Sequence, residues 1–104
     1  MEATTAVRAL GALAQETRLG VFRLLVEQGP SGMAAGEIAE QLTIAPATLS
    51  FHLKELTHAG LVTARHEVRF IFYSANFAAM NDLLAYLTEN CCGGNPDICK
   101  PARQ

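Results

Sequence analysis

Three cysteines, Cys91, Cys92 and Cys99, fall within one nine-residue stretch near the C-terminus, and the chain has no others. A free thiol used for packing behaves as a small hydrophobe and belongs among apolar runs. These three instead neighbour Gly93, Gly94, Asn95, Pro96 and Asp97, so they are placed for chemistry. Thiolates select soft ions, whereas imidazole and carboxylate ligands widen the choice toward zinc and nickel. Three sulfurs with no histidine nearby point to a soft, thiophilic ion.

Geometry decides whether the sulfurs can converge. If the last helix runs through Cys91 and Cys92, Gly93 is a natural terminator and Gly94-Asn95-Pro96-Asp97 a reversing turn that carries Cys99 back toward the pair. Fully extended, the seven steps from Cys92 to Cys99 span about 23 Å, so the turn sets the approach. Adjacent side chains on an intact helix diverge by about 100°. Binding through both Cys91 and Cys92 therefore calls for the helix end to unwind.

The elements that must position this cluster are bounded first by size. A chain of 104 residues is one domain, small enough that burial is incomplete and a dimer would add stability. Half of its residues are hydrophobic, yet no apolar run approaches the roughly 18 to 20 residues of a membrane span. Met1-Glu2-Ala3 lacks the basic start and apolar core of a secretory signal. A soluble, cytoplasmic protein is expected, and in a reducing cytosol an odd set of clustered thiols reads as metal-binding or reactive. The net charge of −2 does not advertise a nucleic-acid partner, but its distribution is uneven. Between Gln41 and Ala78, three cations (Lys54, Arg65, Arg69) face two carboxylates, with His52, His58 and His66 besides; elsewhere five cations face eight carboxylates. The middle of the chain is its electropositive part.

Along the chain, Val7, Leu10, Leu13 and Ala14 recur at helical spacing and predict a first helix over Ala3 to Ala14. A second runs from about Glu16 to Gln28, with Leu19, Phe22, Leu25 and Val26 on one face, and stops at Gly29-Pro30-Ser31-Gly32. A short third covers Ala34 to Leu42. Pro46 suits the first position of a fourth, which runs to about His58 and ends at Gly60, a left-handed cap. Leu61 to Arg65 and Phe70 to Ser74 are β-branched or aromatic runs that read as a hairpin, joined by His66-Glu67-Val68-Arg69. That joint lacks the glycine or asparagine of a tight turn. A last helix from about Phe77 to Asn90 carries Met80, Leu83, Leu84 and Leu87. The class is mainly α with a small β-hairpin. Residues 1–90 form the folded domain and 91–104 a cysteine-bearing tail.

The third and fourth helices, with Thr43-Ile44-Ala45 between them, make a helix-turn-helix whose second helix can enter a major groove. Winding Pro46 to His58 at about 100° per residue puts Leu49, Leu53 and Leu56 on one stripe, as core. Ala47, Thr48, Phe51, Lys54, Glu55 and His58 face away. The candidate DNA-contacting set on this helix is Pro46, Ala47, Thr48, Ser50, Phe51, His52, Lys54 and His58. Phe51 is its odd member, for which contact with thymine methyl groups and packing on a neighbouring element are alternative explanations. His52 flanks the leucine stripe, and packing inside the fold is its alternative. On the hairpin, Arg65, His66 and Arg69 supply cations suited to phosphates, as a DNA-binding wing needs.

Thr48-Leu49-Ser50-Phe51-His52-Leu53-Lys54-Glu55-Leu56, followed by Ala59-Gly60-Leu61-Val62, resembles the recognition-helix signature of the ArsR/SmtB winged-helix repressors. Leu13-Ala14 with Thr17-Arg18-Leu19 and Phe22-Arg23-Leu24-Leu25 resembles that family's second-helix opening, and Gly36-Glu37-Ile38-Ala39 its third helix. The resemblance implies a winged helix-turn-helix homodimer, paired through its first and last helices. Such a dimer binds an imperfect palindrome in promoter DNA and lets go when a metal ion binds. The chain departs from the family in its sensor positions: the third helix has no cysteine, and the last helix offers only Asp82 and Glu89 where zinc-responsive members carry Asp and His pairs. Phe51 replaces the usual cation of the recognition helix, and the wing lacks the usual glycine.

Cys91, Cys92 and Cys99 are thus the evident place for a soft ion to act. Trivalent arsenic, held in family members by three cysteines, matches them in ligand number and type, and antimony(III) should behave alike. Zinc or cadmium would take a fourth ligand, such as Asp97. A redox-sensing repressor, with Cys99 closing a disulfide to Cys91 or Cys92, is a further alternative. Thiol-based arsenate reduction is disfavoured: the arginine that would hold the oxyanion six residues after the cysteine is replaced by Asp97 after Cys91 and by Ile98 after Cys92. No enzyme and no catalytic cofactor are expected.

Overall fold

The computed structural model describes residues 1–95, 97 and 98. The Ala-rich start forms α1 (Ala3–Leu13), which buries Ala6 and Ala9. Small side chains on that face let the helix backbone approach its neighbours closely. Val7 and Leu10, whose spacing predicts this helix, are 67% and 42% exposed. The helix has two apolar faces, and periodicity alone does not say which one its own chain covers. In α2 (Glu16–Gln28), the Gln15 side chain caps the N-terminus by accepting from the Arg18 N–H at 2.8 Å, and Val21, Phe22, Leu24 and Leu25 enter the core. Gly29, at φ +81°, ends the helix.

A strand absent from the periodicity reading follows: β1 (Met33–Ala34) is two residues long, too short for any alternation to register. It pairs antiparallel with β3 (Phe70–Ala75), Met33 opposite Tyr73 and Ala34 opposite Phe72. Gly32 makes the approach feasible, since at φ +75° a Cβ there would run into the Tyr73 carbonyl. In α3 (Ala35–Leu42) the Glu37 carboxylate accepts from the Ala34 N–H at 3.3 Å, and Thr43 ends the helix in the left-handed region. The fourth helix, α4 (Pro46–His58), starts on Pro46 as expected.

Its end is a Schellman arrangement. The Leu61 N–H donates to the Leu56 carbonyl at 3.0 Å and the Gly60 N–H to the Thr57 carbonyl at 3.0 Å, with Gly60 at φ +79°. Leu56 and Leu61, buried together, close the motif. β2 (Val62–Glu67) then pairs antiparallel with β3 from Val62 opposite Ala75 to Glu67 opposite Phe70, giving the sheet order β1-β3-β2. The joint is only Val68-Arg69, shorter than the expected four residues, and Val68 takes φ +44°.

The last helix, α5 (Phe77–Leu87), is capped by Asn76, whose side chain accepts from the Ala79 N–H at 3.1 Å and donates to the Gly60 carbonyl at 3.0 Å. One residue thereby fastens α5 to the end of α4. The core under these elements is built from Val21, Leu25, Ile38, Leu49, Leu53, Leu56, Leu61 and Val62, all buried. It lies between the helices and the sheet, so α4 is backed by packed side chains along its length.

Candidate nucleic-acid interface

The turn between α3 and α4 is fixed by the Ile44 N–H, which donates to the Ala39 carbonyl at 2.9 Å, and the Ala45 carbonyl accepts from the Leu49 N–H at 2.9 Å. With Leu49, Leu53 and Leu56 sunk into the core, the opposite side of α4 stays open. Pro46, Ala47, Thr48, Ser50, Lys54 and His58 are all exposed, and Glu55 is half-buried. The Phe51 ring is 56% exposed and meets the edge of the His52 imidazole, their centroids 5.6 Å apart.

His52 departs from that set. It is 8% exposed and pointed into the fold, where Arg18 Nη1 lies 3.3 Å from its Nδ1. One side of the helix is core and the other solvent; residue 52 stands at the buried margin, so it cannot reach a base edge without leaving its pocket. Its packed alternative is the one realised. Burial, followed by the Arg18 charge, holds the imidazole below its ordinary pKa, against a smaller opposing effect of Glu55. Arg18 itself was not singled out as a site residue by sequence reasoning; the Thr17-Arg18-Leu19 resemblance was the signal for it.

On the hairpin, His66 and Arg69 are exposed. Arg65 is exposed too, but its guanidinium is engaged: Nε donates to Glu67 Oε2 at 2.6 Å, both terminal nitrogens lie 3.4 Å from the Ser31 carbonyl, and the group sits 4.9 Å over the Phe72 ring. Arg65 thus stands on the exposed wing already paired within the chain. Strand alternation places Arg65 and Glu67 on one face of β2, and a carboxylate two residues along a strand is within reach. Between α4 and the hairpin runs a groove of about 260 Å³, lined by Ser50, Lys54, Thr57, His58, Ala64 and Tyr73. Thr57, Ala64 and Tyr73 were missed by sequence reasoning because the groove exists only once the hairpin folds beside the helix.

The thiol tail begins differently from expectation. The helix ends at Leu87, well before Gly93, with the Thr88 hydroxyl donating to the Leu84 carbonyl at 2.8 Å. Thr88 and Asn90 offer little helical drive, and Asn90 is left-handed at φ +55°. Cys91 and Cys92 lie on a separate short 3-10 turn, Cys91–Gly94, in which Cys92 and Gly93 both have φ +59°. Both are free thiols, half-buried, and because α5 has ended before them, their joint use calls for no unwinding of that helix. The chain turns again after Gly94: the Ile98 N–H donates to the Asn95 carbonyl at 3.3 Å, and the Asn95 side chain accepts from the Asp97 N–H at 3.1 Å. Cys99 lies outside the described residues. Among the described residues, no three His, Cys, Asp or Glu side chains converge.

The helix-turn-helix and its hairpin can be set beside known proteins. Residues 13–65, from the end of α1 to the middle of β2, match the family described as "Helix-turn-helix domain". The transcriptional activator HlyU of Vibrio cholerae is 30% identical over 90 residues, covering 86% of this chain and 81% of that protein. The arsenical resistance operon repressor of Bacillus subtilis is 30% identical over 92 residues, covering 85% and 84%. The chain belongs to the ArsR family. A solved ArsR-like transcriptional regulator from Rhodococcus sp. RHA1 superposes with a TM-score of 0.72 at 27% identity, covering 91% of this chain and 85% of that one. The homodimeric winged helix-turn-helix DNA-binding domain of a Mycobacterium bovis protein superposes at 0.67 with 29% identity, covering 84% and 81%. This ArsR-family chain is accordingly a winged helix-turn-helix transcriptional regulator, and its named relatives are regulators rather than enzymes.

Proposed function

We propose that this ArsR-family regulator is a homodimeric repressor that releases its promoter when trivalent arsenic or antimony is captured by Cys91, Cys92 and Cys99. The observation that carries the reading is the placement of two free, half-buried thiols on a left-handed turn just beyond α5, with a third cysteine following in sequence. Thiolates prefer soft ions, and no histidine stands beside them in sequence to draw zinc or nickel. A relative of similar length is named for arsenical resistance.

What supports pairing through α1 and α5 is their unburied apolar faces. Val7 and Leu10 on α1, and Leu84 and Leu87 on α5, are large and exposed, and an apolar cleft of about 340 Å³ lies alongside, lined by Leu13, Leu19, Phe22, Val26, Met80 and Leu84. Contiguous apolar surface of this kind marks an association site, and a two-fold axis lets one patch cover its own copy. The Mycobacterium bovis domain of the same fold is homodimeric. Two copies of α4, so related, suit an imperfect palindrome in successive major grooves. The tail is continuous with α5, so an ion that gathers the thiols pulls on the pairing helix and turns the two copies of α4 out of register.

The test is a gel shift of the reduced protein on its own upstream duplex, titrated in parallel with arsenite, zinc, cadmium and mild peroxide. Release by arsenite at lower concentration than by the other three supports the reading. Release by peroxide alone would make the thiols a redox sensor, and release by zinc or cadmium alone would change the inducer.

A further inference from the structure

Arg18 joins three parts of the fold. Its backbone N–H donates to Gln15 Oε1 at 2.8 Å, which caps α2. Its Nε–H donates to the Ala12 carbonyl at 2.7 Å, in the last turn of α1. Its Nη1 then reaches His52 Nδ1, in the middle of α4, at 3.3 Å. His52 is the one buried polar or charged residue among the described residues, and its neighbours in sequence are the exposed Phe51 and the buried Leu53. A rotation of α4 that moves residue 52 therefore moves Phe51 and Lys54 on the open face.

We propose that Arg18 is a positioning residue for the recognition helix: it holds α4 against the α1–α2 corner through a neutral His52, and protonation of His52 releases that hold. The proposal rests on the DNA-binding reading above and adds to it a regulator of the helix's pose. A guanidinium has donors only, so Nδ1 must carry a lone pair and the imidazole proton must sit on Nε2. Protonation turns the acceptor into a donor and sets two cations within 3.3 Å, so the contact cannot survive it. A buried polar group stripped of its partner is costly, and α4 relieves that cost by shifting.

The charged groups acting on the ring are few. From α2 it is Arg18, and from α4 itself Glu55, which favours the cation; the last turn of α1, Leu10 to Leu13, has no ionisable side chain. No charge from α3 or β2 is among the influences on the ring. Burial and Arg18 together outweigh Glu55, and the folded protein prefers the neutral ring. The folded pKa lies below the unfolded value of about 6.5. Stability from the contact is therefore complete above about pH 6.5 and is lost as pH falls toward the folded pKa, because the unfolded chain binds the proton first.

The experiment measures anisotropy of the protein's own upstream duplex from about pH 8 to about pH 5, with wild type, His52→Gln and Arg18→Gln. Each variant is compared with wild type at the same pH, so effects common to all three proteins cancel. A glutamine oxygen at 52 accepts from Arg18 but cannot titrate. His52→Gln should match wild type within about threefold at the upper end and bind about tenfold more tightly at the lower end. Arg18→Gln should bind about tenfold more weakly than wild type at the upper end, and its acid loss should begin at higher pH, since one of the two influences keeping His52 neutral is gone. Nitrogen-15 NMR of the free wild-type protein should show His52 protonated on Nε2 at the upper pH. Parallel pH profiles for wild type and His52→Gln, or a proton on Nδ1, would overturn the proposal. Wild type that binds no DNA at the upper pH would instead overturn the DNA-binding reading, and the tautomer would still decide the Arg18 contact.

Discussion

Glu67 governs how much of the wing's positive charge is available to a phosphate. Its carboxylate accepts from Arg65 at 2.6 Å while both side chains are about half exposed, so solvent screens the pair and it contributes about 0 to 1 kcal/mol to folding. Removing the carboxylate should leave the fold intact and take away the anion that offsets the Arg65 charge. Glu67→Gln is expected to tighten binding to the promoter duplex about three- to tenfold and to steepen the dependence of log affinity on log salt by about one. A salt titration of anisotropy checks both numbers. On α4 the residue scale separates neighbours: Phe51 is open to a thymine methyl, while His52, one position on, is closed in by Arg18. A rotation of about 100° per residue makes adjacent side chains belong to different environments.

At the scale of elements, Gly32 is the position where sheet and helices depend on a single backbone choice. Gly32→Ala would force an L side chain into φ +75° and against the Tyr73 carbonyl at the β1–β3 joint. The cost should be about 1 to 3 kcal/mol, read as a lower midpoint in urea with an unchanged slope. The reach of the sequence follows the strength of the local signals. The bounds of α2 and α4 were legible because strong punctuation flanks them: Gly29-Pro30 after one, Pro46 and the Schellman glycine Gly60 around the other. β1 was not, since a two-residue strand exists only through its partner β3. The turn at Val68-Arg69 was read too long because it holds neither glycine nor asparagine; the strands' pairing imposes φ +44° on a β-branched residue instead. The end of α5 was placed too late because no glycine or proline marks it before Gly93, and Leu87 is nonetheless its last residue. The leucine stripe of α4 was legible from spacing, whereas the commitment of Arg65 to Glu67 and Ser31 required the folded hairpin.

For the whole molecule, the proposed pairing through the unburied faces of α1 and α5 would tie the tail to the DNA-binding surface. Leu84 and Leu87 are each 53% exposed, so a charge at either adds no clash within one chain but is unfavourable in an apolar pairing surface. Leu84→Glu should therefore give a folded monomer with near-wild-type circular dichroism. By sedimentation it should be half the mass of the parent, with promoter affinity at least tenfold weaker because two half-sites are no longer held together. In the proposed function, release of DNA is the step that joins tail to helix. The direct measurement is the affinity of the reduced dimer for its promoter duplex with and without saturating arsenite, in wild type and in Cys91→Ser, Cys92→Ser and Cys99→Ser. Arsenite should weaken wild-type binding by about 5- to 150-fold, the range of ordinary allosteric coupling, and each serine variant should lose most of that response. Equal affinity with and without arsenite, or undiminished release in all three variants, would contradict the assignment of the tail as the inducer site.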